Sequence, residues 1–178
     1  MRRLPGDPSE QNDVKGMIRV DHAGEYGAVR IYAGQLAVMK DSPERKMVEQ
    51  MAKQEKQHLA EFDKILAERG VRPTILMPLW HIAGFTLGAA TALMGKKAAL
   101  ACTAAVESVI NDHYANQRKS LENSEPELSE TIEKFRKEEL EHHDMALSGG
   151  AEDAPLYSLL SASIKTASKL AIWLSIRI

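Results

Sequence analysis

Apolar residues recur along most of this chain at the three- and four-residue spacing of amphipathic helices, and Gly and Pro interrupt that pattern at a few places. The pattern predicts a first helix over about Asp13–Lys40, broken by Asp41-Ser42-Pro43. Ser42 before Pro43 makes an N-cap and first-turn pair for a second helix, which runs to about Arg69 and stops at Gly70. Arg72 to Pro78 reads as a connection, followed by an apolar helix over about Leu79–Met94. Gly95-Lys96-Lys97 punctuates the chain before a third long helix to about Glu122. Ser124-Glu125-Pro126 restarts it as a fourth over about Pro126–Leu147. Gly149-Gly150 closes that helix, and Pro155 opens a last amphipathic one to the C-terminus. The expected fold is all-α. With 11 Gly, 7 Pro and only 5% aromatic residues, there is little material for a β fold. Residues 1–13 are expected to be a polar, disordered leader. Residues 14–178 form one domain, with an apolar insert at about 75–94 and a C-terminal amphipathic helix at about 155–178.

Four acids break the apolar stripes. Glu25 shares its face with Ala28, Val29, Tyr32 and Leu36, and Glu55 with Val48, Met51, Phe62 and Leu66. Glu107 shares its stripe with Leu100, Ala104, Ile110 and Tyr114, and Glu139 with Leu128, Ile132, Phe135 and Ala146. Burying one lone carboxylate costs several kcal/mol or shifts its pKa strongly. Four buried together repel one another, and two divalent cations balance their charge.

Two histidines complete a repeat. Glu25 is followed by Glu55-x-x-His58, and Glu107 by Glu139-x-x-His142, at nearly equal spacing. Residues three apart share a helix face, so each Glu–His pair can bind one metal while the other glutamate of each half bridges or caps. This is the ligand pattern of a dimetal site inside a four-helix bundle. Carboxylates with one imidazole per metal suit iron or manganese. A single Glu-x-x-His usually marks a solvated face; two copies, each preceded by an apolar-face glutamate, are far more specific. The register of the last copy has a competitor, since Glu138, Glu141 and His143 crowd it and Glu139 with His143 is an i,i+4 pair. The apolar stripe favours Glu139, and the internal repeat favours His142.

A formal net charge of -2 gives no argument for a nucleic-acid partner. Cys102 is the only cysteine, so an intramolecular disulfide is excluded. The leader lacks the apolar core of a secretory signal and carries Asp7, Glu10 and Asp13, unlike an acid-poor transit peptide.

Ile75 to Met94 is long enough to span a bilayer, with only His81 ionisable. A single span would put Glu25 and Glu55 on one side and Glu107 and Glu139 on the other, so the halves could not share one site. The expectation is therefore an apolar helix lying against one leaflet, with Arg72, Lys96 and Lys97 reaching headgroups and the last helix joining the same surface.

With these residues placed, the chain resembles the demethoxyubiquinone hydroxylase family, known as Coq7 or Clk-1 proteins. The matching stretches are RVDHAGEYGAVRIYAGQLAV at Arg19 to Val38, QEKQHL at Gln54 to Leu59, RPTILMPLW at Arg72 to Trp80, LGAATALMGKKAALACTAAVE at Leu87 to Glu107, HYANQ at His113 to Gln117, and KFRKEELEHHD at Lys134 to Asp144. The resemblance runs from about Val14 to the C-terminus. It carries the family's metal ligands onto Glu25, Glu55, His58, Glu107, Glu139 and His142. Ser108, where some relatives have a second glutamate, is one local departure that removes no ligand. The resemblance implies a ferritin-like fold and two iron ions. It also implies hydroxylation of a demethoxyubiquinone or demethoxyubiquinol ring by O2, with electrons from NADH. No Gly-rich dinucleotide fingerprint is present. The partners it implies are a polyprenylated substrate, a membrane lipid surface, a lipid-binding Coq9-like protein, other ubiquinone-biosynthesis enzymes and a second copy in a homodimer. The expected location is peripheral, on the cytoplasmic face of a bacterial inner membrane, with the matrix face of the mitochondrial inner membrane as the alternative. Asp21, Tyr32, Asp112, His113 and Tyr114 are candidates to orient the ligands. Two other functions share features of the sequence: a ferritin-like iron-storage or ferroxidase protein, and a non-catalytic membrane scaffold for quinone-biosynthesis enzymes.

Overall fold

The computed structural model describes the backbone of residues 10–178 and the side chains of residues 14–178. Six α-helices follow one another: α1 Glu10–Val38, α2 Pro43–Arg69, α3 Met77–Leu93, α4 Lys96–Leu121, α5 Pro126–Ser148 and α6 Tyr157–Arg177, with a 3-10 turn at Ala151–Asp153. The expected all-α class holds, and among the described residues no strand occurs. Residues 1–9 of the expected leader lie outside the described residues, and Glu10 to Asp13 form the first turn of α1. The helix limits follow local chemistry. Ser42 Oγ accepts the Arg45 amide at 3.1 Å to start α2, and Gly70, at φ 59, ends it in the left-handed conformation that suits glycine. α3 starts earlier than the pattern suggested because Pro78 sits in its first turn, where the missing N–H costs nothing.

Helices α1, α2, α4 and α5 form the bundle. Cross-helix contacts give its topology. α1 and α2 are antiparallel, with His22 against Asp63 and the Arg45 side chain on the Leu36 carbonyl. α1 and α4 are antiparallel through Gln117 on Asp21 and Gln35 on the Ala99 carbonyl. α4 and α5 are antiparallel through Ser129 on the Arg118 carbonyl and Arg136 on Asn111. α2 must therefore run parallel to α4, and a crossover is required between them. α3 is that crossover: it lies along α1 in the same direction, with Gly84 against Gly27 and Arg30, and Gly88 against Ile31. It returns the chain to the end where α4 begins.

Two apolar layers fill the bundle. One contains Ile18, Phe62, Tyr114, Ile132 and Phe135; the other contains Tyr32, Met51, Leu100, Ala104 and Ala146. Burying each large apolar side chain contributes about 1.5–3 kcal/mol. The level between the layers holds the four acids and two histidines of the repeat.

α3 and α6 cover the α1–α4 side and are linked by Trp80 Nε1 donating to Ser175 Oγ at 3.0 Å. Their outer faces stay apolar and exposed, with Ile82 at 66% and Leu159 at 65% of full exposure. No helix among the described residues is long and apolar enough to cross a membrane. Two expected headgroup contacts are otherwise engaged: Lys96 pairs with Glu44 at 2.6 Å and Lys97 with Asp153 at 2.7 Å. Both cations sit at the start of α4, within reach of acids on neighbouring turns.

Candidate metal centre

Each bundle helix delivers its acid to one level. Glu25 on α1, Glu55 and His58 on α2, Glu107 on α4, and Glu139 and His142 on α5 are all at most 1% exposed. Their ligand atoms form two overlapping groups. Glu25, Glu55, His58 and Glu139 make one, and Glu55, Glu107, Glu139 and His142 the other, with all atoms of a group within 4.8 Å of one another. Glu55 and Glu139 belong to both groups, so with two ions bound the glutamates of the two Glu-x-x-His motifs would be the bridging pair. Glu25 and Glu107 belong to one group each and would be the terminal pair.

The imidazoles enter from opposite sides. His58 Nδ1 lies 3.0 Å from Glu139 Oε1 and 3.5 Å from Glu25 Oε2. His142 Nδ1 lies 3.0 Å from Glu55 Oε1 and 3.3 Å from Glu139 Oε2. The competing residue His143 points away from this level and meets Asp144 at 3.0 Å. One step along a helix turns a side chain by about 100°, which carries His143 off the inner face.

Electrostatics shows what the cluster can hold. Burial, and then repulsion from Glu139, push Glu55 and Glu107 well above the usual carboxylate range. Burial also raises Glu25. Burial would raise Glu139 too, but the imidazoles beside it more than offset this and hold it at about 2. Burial opposes charge on His58, yet hydrogen bonding to Glu139 and Glu25 lifts it to about 12. Glu25 Oε2, both oxygens of Glu55, Glu107 Oε2, Glu139 Oε2 and His142 Nδ1 are buried with no hydrogen-bond partner. Buried polar atoms without partners are rare in folded proteins. Here they converge, and four carboxylates with two imidazole lone pairs form a donor set that fits two divalent cations. The residues present can hold metal ions.

The orienting candidates divide. Tyr32 donates to Glu107 Oε1 at 2.7 Å, and Tyr114 donates to Glu25 Oε1. Burial, followed by the neighbouring acids, pushes both phenols well above their ordinary range, so they remain donors at neutral pH. Asp21 and His113 do not touch a ligand. Asp21 accepts from Gln117 at 2.8 Å and pairs with His113 at 3.2 Å, forming a separate network one turn along. Asp112 is corrected: it is exposed and makes no contact with the cluster. It lies five residues after Glu107, about 140° around the helix. Gln54 and Glu138, which the sequence did not single out as orienting residues, do contact the cluster: His142 Nε2 meets Gln54 Oε1 at 3.1 Å, and His58 Nε2 meets Glu138 Oε2 at 2.5 Å. The available signal was position, since each residue immediately precedes the glutamate of a motif.

An apolar cavity of about 170 Å3 lies beside this level, between α1 and α4 and under α3 and α6. Gly24, Gly27 and Ala28 make one wall, Gly84 and Leu87 another, and Val106 and Ile110 the floor. Gly24 and Val106 directly precede Glu25 and Glu107, so cavity wall and cluster are consecutive residues of the same helices.

Comparison with known proteins agrees with this geometry. The family model described as "Ubiquinone biosynthesis protein COQ7" matches residues 12–175. The chain is 53% identical over 177 residues to a 3-demethoxyubiquinol 3-hydroxylase of Rhodospirillum rubrum, covering 99% of this chain and 84% of the relative. It is 51% identical over 169 residues to a protein of Homo sapiens, covering 93% and 78%. That relative is named NADPH-dependent 3-demethoxyubiquinone 3-hydroxylase, mitochondrial. A 5-demethoxyubiquinone hydroxylase, mitochondrial, of Saccharomyces cerevisiae is 41% identical over 179 residues, covering 91% and 77%. With a family model spanning nearly the whole chain and relatives this similar in both a bacterium and mitochondria, the chain belongs to the family of ubiquinone biosynthesis protein COQ7.

Proposed function

We propose that this chain is an O2-dependent monooxygenase that hydroxylates the ring of a demethoxyubiquinone or demethoxyubiquinol intermediate of ubiquinone biosynthesis. The observation that carries this reading is a buried set of four carboxylates and two imidazoles beside an apolar cavity. Glu25, Glu55, His58, Glu107, Glu139 and His142 would hold two iron ions, which supply the reduction and activation of O2. In the overall reaction one oxygen atom replaces a ring C–H with C–OH and the other leaves as water, consuming two electrons and two protons.

The chain's own residues supply the setting. Glu55 and Glu139 would tie the two positions together. Tyr32 and Tyr114 hold the terminal carboxylates by phenol hydrogen bonds. The cavity wall would present an apolar face to the ring, and its small residues leave width for a flat ring. Electrons come from a reduced nicotinamide dinucleotide. The resemblance points to NADH, whereas the names of several relatives specify NADPH.

The test is product analysis. Iron-loaded protein with O2 and a demethoxyubiquinone analogue, supplied in parallel with NADH and NADPH, should yield hydroxylated quinone. Iron uptake without product would favour the storage reading. Within the same assay, Gly27→Leu should fill the cavity. A Cβ at Gly27 meets no atom within 4 Å, and leucine is a better helix former by roughly 0.8–1 kcal/mol. Turnover should fall about tenfold or more, with KM rising, while the melting temperature holds or increases. Unchanged KM would remove the cavity as the substrate site.

The exposed apolar faces of α3 and α6 support a peripheral membrane location, from which a polyprenyl substrate can pass into the cavity. Leu79 is 50% exposed and Ile82 66%. The parent should float with phospholipid vesicles, and a Leu79→Glu, Ile82→Glu double variant should remain in the dense fraction. Equal flotation would show that α3 is not the anchor.

A further inference from the structure

The cluster is close to two-fold symmetric, and one pair of residues breaks the symmetry. Two bridging glutamates come from equivalent positions on α2 and α5, and two terminal glutamates from α1 and α4. Tyr114 and Tyr32 each donate to one terminal glutamate. Both imidazoles turn Nδ1 toward the cluster and Nε2 away from it. The residue that meets Nε2 comes each time from the opposing helix, one position ahead of that helix's motif glutamate. His142 Nε2 faces Gln54 Oε1 at 3.1 Å, and His58 Nε2 faces Glu138 Oε2 at 2.5 Å. The cross-brace is therefore repeated, but one acceptor is a neutral amide and the other a carboxylate.

We propose that Glu138 and Gln54 are positioning residues that make the two metal positions unequal, the His58 position being the tighter. If Nδ1 carries the ligand lone pair, the ring proton sits on Nε2 and needs an acceptor. Glu138 offers a carboxyl oxygen at the shorter distance, 2.5 Å against 3.1 Å, and a carboxylate acceptor on the outer nitrogen makes an imidazole a better donor to a metal. Gln54 offers only its carbonyl oxygen, which orients the His142 ring with less polarisation. Phe135 adds to the difference by stacking on the His58 ring, with centroids 4.1 Å apart, while the Tyr32 ring stands edge-on to His142 at 6.5 Å. The amide–carboxylate difference is the one that single conservative substitutions can reverse.

This inference rests on the dimetal reading above, and the two can fail separately. The full-length protein, stripped of metal, is titrated with Co(II) by calorimetry and visible absorption. The parent should bind two ions in unequal steps. Glu138→Gln should weaken the tighter step by about 10- to 100-fold and bring the two steps together, leaving the weaker one in place. Gln54→Glu should tighten the weaker step, and the double exchange should restore two unequal steps. A merely structural role would instead lower the melting temperature of the metal-free protein or weaken both steps alike, and either result from Glu138→Gln overturns the proposal. So does a Glu138→Gln titration that matches the parent, which would leave the dimetal reading standing. A parent that binds fewer than two ions overturns both.

Discussion

Replacing Glu139 by Ala should eliminate binding of both metals and abolish turnover. Glu139 is one of two carboxylates shared by the ligand groups, and it lies within 3.3 Å of both ligating imidazoles. Its loss therefore strips each position of a ligand and of a negative charge at once. Turnover should fall by more than about 10^3-fold, equivalent to roughly 4 kcal/mol of barrier. Thermal melts give a second measure. Saturating metal at about 100 times its Kd stabilises a protein by about 2.7 kcal/mol per site, or on the order of 5–10 °C for a chain of this size. The parent should show that shift with Fe(II) or Co(II), and Glu139→Ala should show none. Glu25→Ala should keep part of it, because Glu25 serves only the His58 position. A full metal-induced shift in Glu139→Ala would disprove the bridging assignment.

The second large effect is expected far from any ligand, at Gly88. A Cβ there would lie 1.9 Å from the Ile31 carbonyl oxygen and 2.8 Å from its carbon, both rigid backbone of α1. The reciprocal contact is as close, since a Cβ on Gly34 would meet the Phe85 carbonyl oxygen at 2.1 Å. α1 and α3 thus touch backbone to backbone, and no side-chain rotation can relieve a methyl group. Gly88→Ala should cost about 3 kcal/mol or more in urea unfolding, at or beyond the upper end for overpacking. It should also expose the segment around 72–95 to proteolysis. Gly24→Ala, whose Cβ meets nothing within 4 Å, is the control and should be neutral or stabilising. Equal stabilities for the two variants would mean that the α1–α3 contact gives readily. Because α3 also walls the cavity, Gly88→Ala should lower turnover together with stability, whereas Gly27→Leu should lower turnover alone.

Much of this was legible in the sequence because the signal was local. The helix breaks at Ser42-Pro43, Gly70 and Gly95 announce themselves through backbone chemistry that needs no neighbour. The inward direction of Glu25, Glu55, Glu107 and Glu139 follows from their place on apolar stripes, and His142 follows from the repeat. The crossover was implied by topology alone, since halves that share a site must return to the same side. Where reasoning along one helix reached its limit, the deciding contact came from another helix. Asp112 and Tyr114 both follow Glu107 closely, yet only Tyr114 reaches the cluster, and it does so at Glu25 across the bundle.

The same division holds for the whole protein. By itself the sequence determined the all-helical class, the inward direction of four acids and two histidines, and the family resemblance, since helical periodicity and residue chemistry are properties of a single strand of chain. Only the tertiary structure decided which glutamates belong to both groups of ligand atoms, and which residues face the outer nitrogens of the two histidines. It also decided that small residues of α1 leave an apolar cavity beside the cluster while Gly34 and Gly88 close the α1–α3 seam. Each of these depends on the separation between helices that are distant in sequence, and that separation is set by how their side chains pack.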